Sequence, residues 1–229
     1  MQIYTRFLVL FTSFLGCLPL FSQSLLEIVP ITDQLIVVHL DEGSVQYHGI
    51  GQTYQDDQIF SSPLDTNLAI TAASYTISST DDAAYTSPQA PSEVWRKSKG
   101  TEWTSVWPSY PYASEHWLYL KLPVPMTVGK SYTVNIGSLV NSGSNSQTLS
   151  FDPTQHRSEA VHINQIGFRP DETLKIGYVY LWMGNGGGLD LTAYDQTPFH
   201  LVDGNDQIAF SGQLRLRKIM DAASENFQG

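Results

Sequence analysis

The chain of 229 residues is long enough for one large domain or two ordinary ones, each with its own core, and two fit the sequence better. A formal net charge of −10, from 22 acidic and 12 basic residues, lacks the positive footprint that binders of nucleic acid or anionic membranes carry. Only 15% of the residues are charged, while Ser, Thr, Gly, Tyr and Trp are plentiful, a balance typical of extracellular all-β proteins.

Residues 1–23 read as a secretory signal peptide: Arg6, then an apolar run over 7–21 broken by Thr12, Ser13 and Pro19, with cleavage after Gln23. The run is too short and too interrupted for a membrane span, which needs roughly 20 apolar residues. A lipoprotein signal with the mature chain starting at Cys17 is the other reading, disfavoured because the apolar run continues past the cysteine. After cleavage at Gln23 no cysteine is left, so the sequence predicts neither disulfides nor a thiol nucleophile.

From Ser24 onward, short apolar or alternating runs are separated by turn residues. Strands are expected at 35–40 (LIVVHL), 68–78, 93–97, 117–122 (WLYLKL), 131–136 and 147–151, and no stretch of about twelve residues holds a helical period. This pattern predicts an antiparallel immunoglobulin-like β-sandwich over 24–153. Tyr132, second in its strand after the turn at Gly129-Lys130, suits a tyrosine corner or an ordinary buried strand tyrosine. The polar segment 151–158 with Pro153 marks a boundary, and the β pattern restarts over 154–229 with runs at 160–166, 174–183 and 189–194 and a hairpin across Gly204-Asn205. That second module has too few strands for a sandwich of about seven. The fold expected is therefore all-β, two tandem immunoglobulin-like antiparallel sandwiches with the second incomplete.

No catalytic constellation is legible. The run at 184–188 has no following Lys-Ser/Thr and reads as a flexible turn rather than a phosphate cradle. The six histidines have no HExxH and no i to i+4 pair, and no Gly-x-Ser-x-Gly occurs. The acidic clusters Asp56-Asp57, Asp81-Asp82 and Asp203 to Asp206 sit at turns, where such side chains bond local backbone; no cofactor is expected, a structural calcium ion in one of these loops being the sharper alternative. Trp103, Trp107, Tyr110 and Tyr112 fall in a Pro- and Ser-broken segment and are the candidate carbohydrate contacts, since exposed rings stack on the apolar faces of sugars. The bland reading of the same segment is a long loop folded back over the core. Trp117 and Tyr119 alternate on a strand and read as core.

The stretch 161–170, VHINQIGFRP, followed by Lys175 and by FHLVD at 199–203 and IAFSGQL at 208–214, resembles the N-terminal immunoglobulin-like domain of family 9 glycoside hydrolases, the cellulase-type endoglucanases. Asn164, Gln165, Gly167, Pro170, Lys175, Phe199, Asp203, Phe210, Gly212 and Leu214 match the family pattern. Phe168 replaces the usual Tyr, His162-Ile163 departs from the family wording, and 184–194 is an insert. The resemblance implies the non-catalytic front of a secreted polysaccharide-degrading enzyme, whose catalytic domain would follow beyond this chain. That domain, in the family, is an (α/α)6 barrel working by inverting hydrolysis with one acid and one base carboxyl; none of its catalytic residues lies here. The expected partners are this downstream catalytic domain and a β-glucan or other polysaccharide. A free-standing extracellular carbohydrate-binding or adhesion protein is the competing reading.

Overall fold

The computed structural model describes residues 23–219. The expected signal peptide, apart from Gln23, and Cys17 lie outside the described residues. Within them the chain is all-β, built from antiparallel strands with one short helix and a few 3-10 turns. No helix among the described residues is long and apolar enough to cross a membrane.

The strands, in chain order, are Ser24–Pro30 (β1), Leu35–Asp41 (β2), Gly43–Gln46 (β3), Gln58–Ser61 (β4), Thr76–Ser78 (β5), Glu93–Trp103 (β6), Tyr112–Lys121 (β7), Ser131–Asn135 (β8) and Ser146–Ser150 (β9). One sheet has the order β1-β2-β7-β6 and the other β5-β8-β9. With β3 and β4 set aside as an inserted hairpin, these seven strands have the order of an immunoglobulin constant-type sandwich. Alternation decides what each face buries. Ile36, Val38 and Leu40 of β2 and Leu118 and Leu120 of β7 point inward, against Ile77, Tyr132, Val134 and Leu149 of the facing sheet. The free edges of the two sheets are bridged by one side chain: Gln147 accepts from the Ile28 N–H at 2.9 Å and donates to the Ile28 carbonyl at 3.0 Å, standing in for a strand partner.

Tyr132 forms a tyrosine corner. Its buried hydroxyl accepts from the Thr127 N–H at 2.7 Å and donates to Asp82, whose other carboxylate oxygen accepts from the Ala84 N–H at 2.9 Å. Tyr85 meets the Tyr132 ring edge-on at 5.3 Å and donates its own hydroxyl to the Val124 carbonyl. The Tyr132 hydroxyl bond holds the Asp82 carboxyl below its usual range. Burial, reinforced by that carboxylate, pushes the phenol up to about 12, so the phenol remains the donor across the stable pH range.

The strands expected at 35–40, 131–136 and 147–151 form with small shifts of boundary, and the one expected at 117–122 starts five residues earlier, at Tyr112. The run at 68–78 does not: Asp65 caps a one-turn helix, Thr66–Ala69 (α1), through the N–H groups of Asn67 and Leu68, and only Thr76–Ser78 is strand. Side-chain capping of the backbone here outweighs the strand propensity of the apolar run. The strand expected at 93–97 continues to Trp103 because β7 offers it partners along its whole length.

Beyond the boundary the strands shrink to Val161–His162 (β10), Tyr178–Val179 (β11) and the hairpin Pro198–Val202 (β12) with Ile208–Gln213 (β13). Of the run expected at 174–183 only β11 is strand, and 189–194 ends in a 3-10 turn. The motif residues of this segment have local structural work. Asn164 closes the bend by donating to the Gly167 carbonyl at 2.9 Å, Lys175 donates to the Glu172 carbonyl at 2.6 Å, and Asp203 accepts from the N–H groups of Asn205 and Gln207 to close the hairpin. Gly212 leaves room for the Phe199 ring, which a Cβ there would meet at 2.6 Å. Leu201, Val202, Ile208 and Phe210 on this hairpin are all more than half exposed.

The segment between these strands covers the outer face of the four-stranded sheet. Ala160, Leu181 and Met183 are buried with Leu35, Val37 and Tyr119, and Leu189 and Trp95 pack beside them. The glycine run, expected as a flexible turn, is a close-packed clasp. Asn185 accepts from the Arg96 N–H on the edge strand β6 at 2.7 Å, and Gly184, at φ +65°, lies so near that a Cβ would stand 2.1 Å from the Arg96 carbonyl oxygen. Such contact is open only to glycine.

Two outcomes follow for stability. Tyr132→Phe removes the hydroxyl that joins the buried Asp82 carboxylate to the Thr127 N–H, leaving Asp82 the Ala84 N–H, and lowers unfolding free energy by about 1–3 kcal/mol in urea titrations. Because the Asp82 carboxyl is depressed in the fold, its contribution is complete above about pH 3.9 and is lost as pH falls through its lower folded value. The acid slope of stability is therefore flatter in Tyr132→Phe than in the parent chain. Gly184→Ala forces the clasp off β6 and costs on the order of 1–3 kcal/mol, seen as a lower urea midpoint with unchanged β content by circular dichroism.

Candidate functional site

Past the edge of the sandwich β6 and β7 continue as a two-stranded arm, ending in the pair Trp103↔Tyr112 after an irregularity between Gly100 and Glu102. Both rings lie over Gly100, whose missing side chain makes the space; a Cβ would stand 3.3 Å from the Tyr112 ring and 3.5 Å from the Trp103 ring. The connecting loop is held by its own backbone, with the Thr104 N–H bonded to the Pro111 carbonyl at 2.8 Å and the Tyr110 N–H to the Val106 carbonyl at 2.9 Å. Trp107 and Tyr110 meet edge to face at 5.7 Å. All four candidate residues are out in solvent: Trp103 56%, Trp107 65%, Tyr110 49% and Tyr112 56% exposed. The loop thus does not fold back over the core. Tyr119, by contrast, is buried on the outer face of the sheet, and Trp117 stacks on His39 at 4.4 Å beside it.

The β3–β4 hairpin braces this arm. The Val45 N–H donates to Glu102 at 2.5 Å, and Asp57 accepts from the Ser105 N–H at 3.5 Å while also bonding the His48 N–H at 2.8 Å and its Nδ1 at 2.7 Å. The His48 ring holds the Asp57 carboxyl below its ordinary value. Asp56 accepts from the Thr53 N–H, Asp81 bonds Ser79 and Asp203 closes its own hairpin, as their turn positions suggested, whereas Asp57, Asp81 and Asp82 also reach distant partners, Ser105, Ser131 and Tyr132. Among the described residues no group of three or more His, Cys, Asp or Glu is placed to hold a metal ion. His156 bonds the Ser150 carbonyl and His162 stacks on Tyr180, each with separate partners.

A second constellation was not visible in the spacing of the sequence. Ser98 and His116 are cross-strand partners on β6 and β7, on the inward side of the sheet. Ser98 Oγ lies 2.7 Å from His116 Nδ1, and His116 Nε2 lies 2.9 Å from Glu42 Oε2. Glu42 is fixed in turn by the N–H groups of Ser114 at 3.1 Å and Leu64 at 3.2 Å, and Arg96 Nη1 donates to Ser98 Oγ. An ionised carboxylate only accepts, so in the neutral imidazole the proton sits on Nε2, Nδ1 accepts, and the Ser98 hydroxyl donates. His116 is buried and Ser98 exposed. An open cleft of about 450 Å³ along the edge of β6, which Ser98 lines but His116 and Glu42 do not, is bounded by Arg96, Lys97, Lys99, Trp182 and Gly184. The available signal was the face, not a motif: His116 occupies an inward position in line with Leu118 and Leu120, and a polar side chain there requires buried partners.

Comparison of the chain with protein-family models, with curated proteins and with solved structures returned no match.

The brace at Asp57 has a measurable consequence. Asp57→Asn weakens the bonds to His48 and Ser105, so amide hydrogen exchange speeds up across residues 104–111 while the amides of β2 and β7 exchange as before. The parent chain shows the same local loosening when acidified below the ordinary carboxylate range, because a depressed carboxyl gives its support above that range and loses it as pH falls through the folded value.

Proposed function

We propose that the chain is the immunoglobulin-like front, non-catalytic towards glycosidic bonds, of a secreted polysaccharide-degrading enzyme, a glycoside hydrolase of the cellulase type, and that it supports and orients a catalytic domain beyond this chain. The observation that carries polysaccharide contact is the arm of β6 and β7, which holds Trp103, Trp107, Tyr110 and Tyr112 in solvent on a loop held by its own backbone bonds and braced by the β3–β4 hairpin. Rings kept exposed at the cost of unburied apolar surface, and fixed before any ligand arrives, offer sugar rings flat apolar faces with little entropy lost on binding. Support for the scaffold role comes from the second segment. Its motif residues shape bends and a hairpin rather than a chemical centre, and the exposed apolar side chains Leu201, Val202, Ile208 and Phe210 suit a covering partner, which we assign to the catalytic domain.

In affinity electrophoresis through gels containing soluble β-glucan, the full chain is retarded. Trp103→Ala and Trp107→Ala each weaken retardation several-fold, about 0.5–1.5 kcal/mol per ring, with an unchanged circular dichroism spectrum. Unretarded migration of the parent chain rules out glycan contact with that polymer. Cleavage of glycosidic bonds by the chain alone contradicts the scaffold role, and an encoding reading frame with no catalytic domain after these modules favours the free-standing binding protein.

A further inference from the structure

The edge strand β6 carries, besides the aromatic arm, a series of side chains that neither glycan contact nor scaffolding uses. Ser98 is exposed on the rim of the cleft, its hydroxyl directed to His116 Nδ1 at 2.7 Å, and the buried His116 is held at Nε2 by Glu42 at 2.9 Å. Two backbone N–H groups, from Ser114 and Leu64, fix the Glu42 carboxylate, so the base cannot turn away from the serine without breaking a buried network. Nucleophile, base and orienting acid within hydrogen-bond reach are the arrangement that activates a hydroxyl on unrelated folds, recognised by geometry rather than by chain order. Arg96 supplies a cation at the same oxygen, and its buried Nε has no hydrogen-bond partner in the fold.

We propose that Ser98, His116 and Glu42 form a nucleophile–base–acid relay that hydrolyses short-chain carboxylic esters bound in the cleft along β6, with Arg96 as the donor to the developing oxyanion. Ser98 Oγ bonds to the carbonyl carbon while its proton passes to His116 Nδ1, and the Glu42 carboxylate stabilises the imidazolium so formed. The bond from carbon to the alcohol oxygen breaks, and that oxygen leaves with the proton from Nδ1. Water then adds to the acyl-serine, giving its proton to Nδ1; the bond to Oγ breaks, Ser98 recovers the proton, and the carboxylic acid departs. Neither oxidant nor reductant is consumed. The substrate class is an ester rather than an amide because Ser98 stands on a regular strand and not on a strained turn, and an alcohol leaves more readily than an amine. This activity is independent of glycan contact at the aromatic arm.

The test is made on the full chain with a fluorophosphonate probe and with p-nitrophenyl acetate. One adduct per chain, located by peptide mass on Ser98, is expected, together with ester hydrolysis that falls at least about 100-fold in Ser98→Ala. Ser98 is exposed, so this variant keeps the fold, which its circular dichroism spectrum checks. A parent chain that takes up no probe at Ser98, or hydrolysis that persists in Ser98→Ala, overturns the assignment.

Discussion

Burial of β2 and β7 on both of their faces is the constraint on which the remainder of the molecule depends. In an ordinary two-sheet sandwich each strand has one wet face, and the sequence alternates accordingly. Here the inner face, Ile36, Val38, Leu40, Leu118 and Leu120, meets the second sheet, while Leu35, Val37 and Tyr119 are covered from outside by Ala160, Leu181 and Met183. The central sheet is thereby a middle layer rather than a wall. The charged and hydroxyl groups at its margin, Lys97 3.7 Å from Glu159 and Tyr119 donating to Glu159 at 3.0 Å, tie the covering segment down where the apolar contact ends.

That rigid middle layer is what gives β6 its two roles. The pairing of β6 with β7 sets Ser98 opposite His116 and, further along, Trp103 opposite Tyr112. One register therefore fixes both the hydrogen-bonded series and the aromatic arm. A shift of one residue would turn Ser98 to the other face and separate it from its imidazole. The clasp at Gly184 and Asn185 pins the otherwise free side of β6 at Arg96, next to the two residues whose geometry matters most. Edge strands usually need charge, bends or cover to stop them pairing with other chains, and here the cover comes from the same chain.

How much of this was legible in the residues differs by place. Alternation and turn chemistry identified β2, β6, β7, β8 and β9 but not the edge strand β1, whose Ile28 also enters the core, and Tyr132 suited a corner because its position after Gly129-Lys130 is a local feature. The aromatic arm was legible as composition, since Pro and Ser interrupt the segment, but its direction depends on the long register of β6 against β7 and on the brace from Asp57. Continuous apolar runs at LIVVHL and WLYLKL carried a further message, burial on both faces, that alternation alone does not express. The glycine run looked like slack chain because nothing nearby shows that a strand edge lies 2.1 Å from where a Cβ would be. Glu42, Ser98 and His116 are scattered in sequence, and only the register of three strands assembles them.

The cover on the outer face also fixes an order of assembly. Residues that complete the burial of Leu35, Val37 and Tyr119 come from beyond the last strand of the sandwich, and the bridge from Gln147 to Ile28 closes its edge across most of the module. A growing chain that has reached only Phe151 has every strand of the sandwich yet still shows water an apolar stripe along the middle of its larger sheet. Such a nascent chain is therefore stickier than the finished molecule, and the step that ends this vulnerable interval is the arrival of Leu181 and Met183 on the stripe rather than the pairing of the final strand.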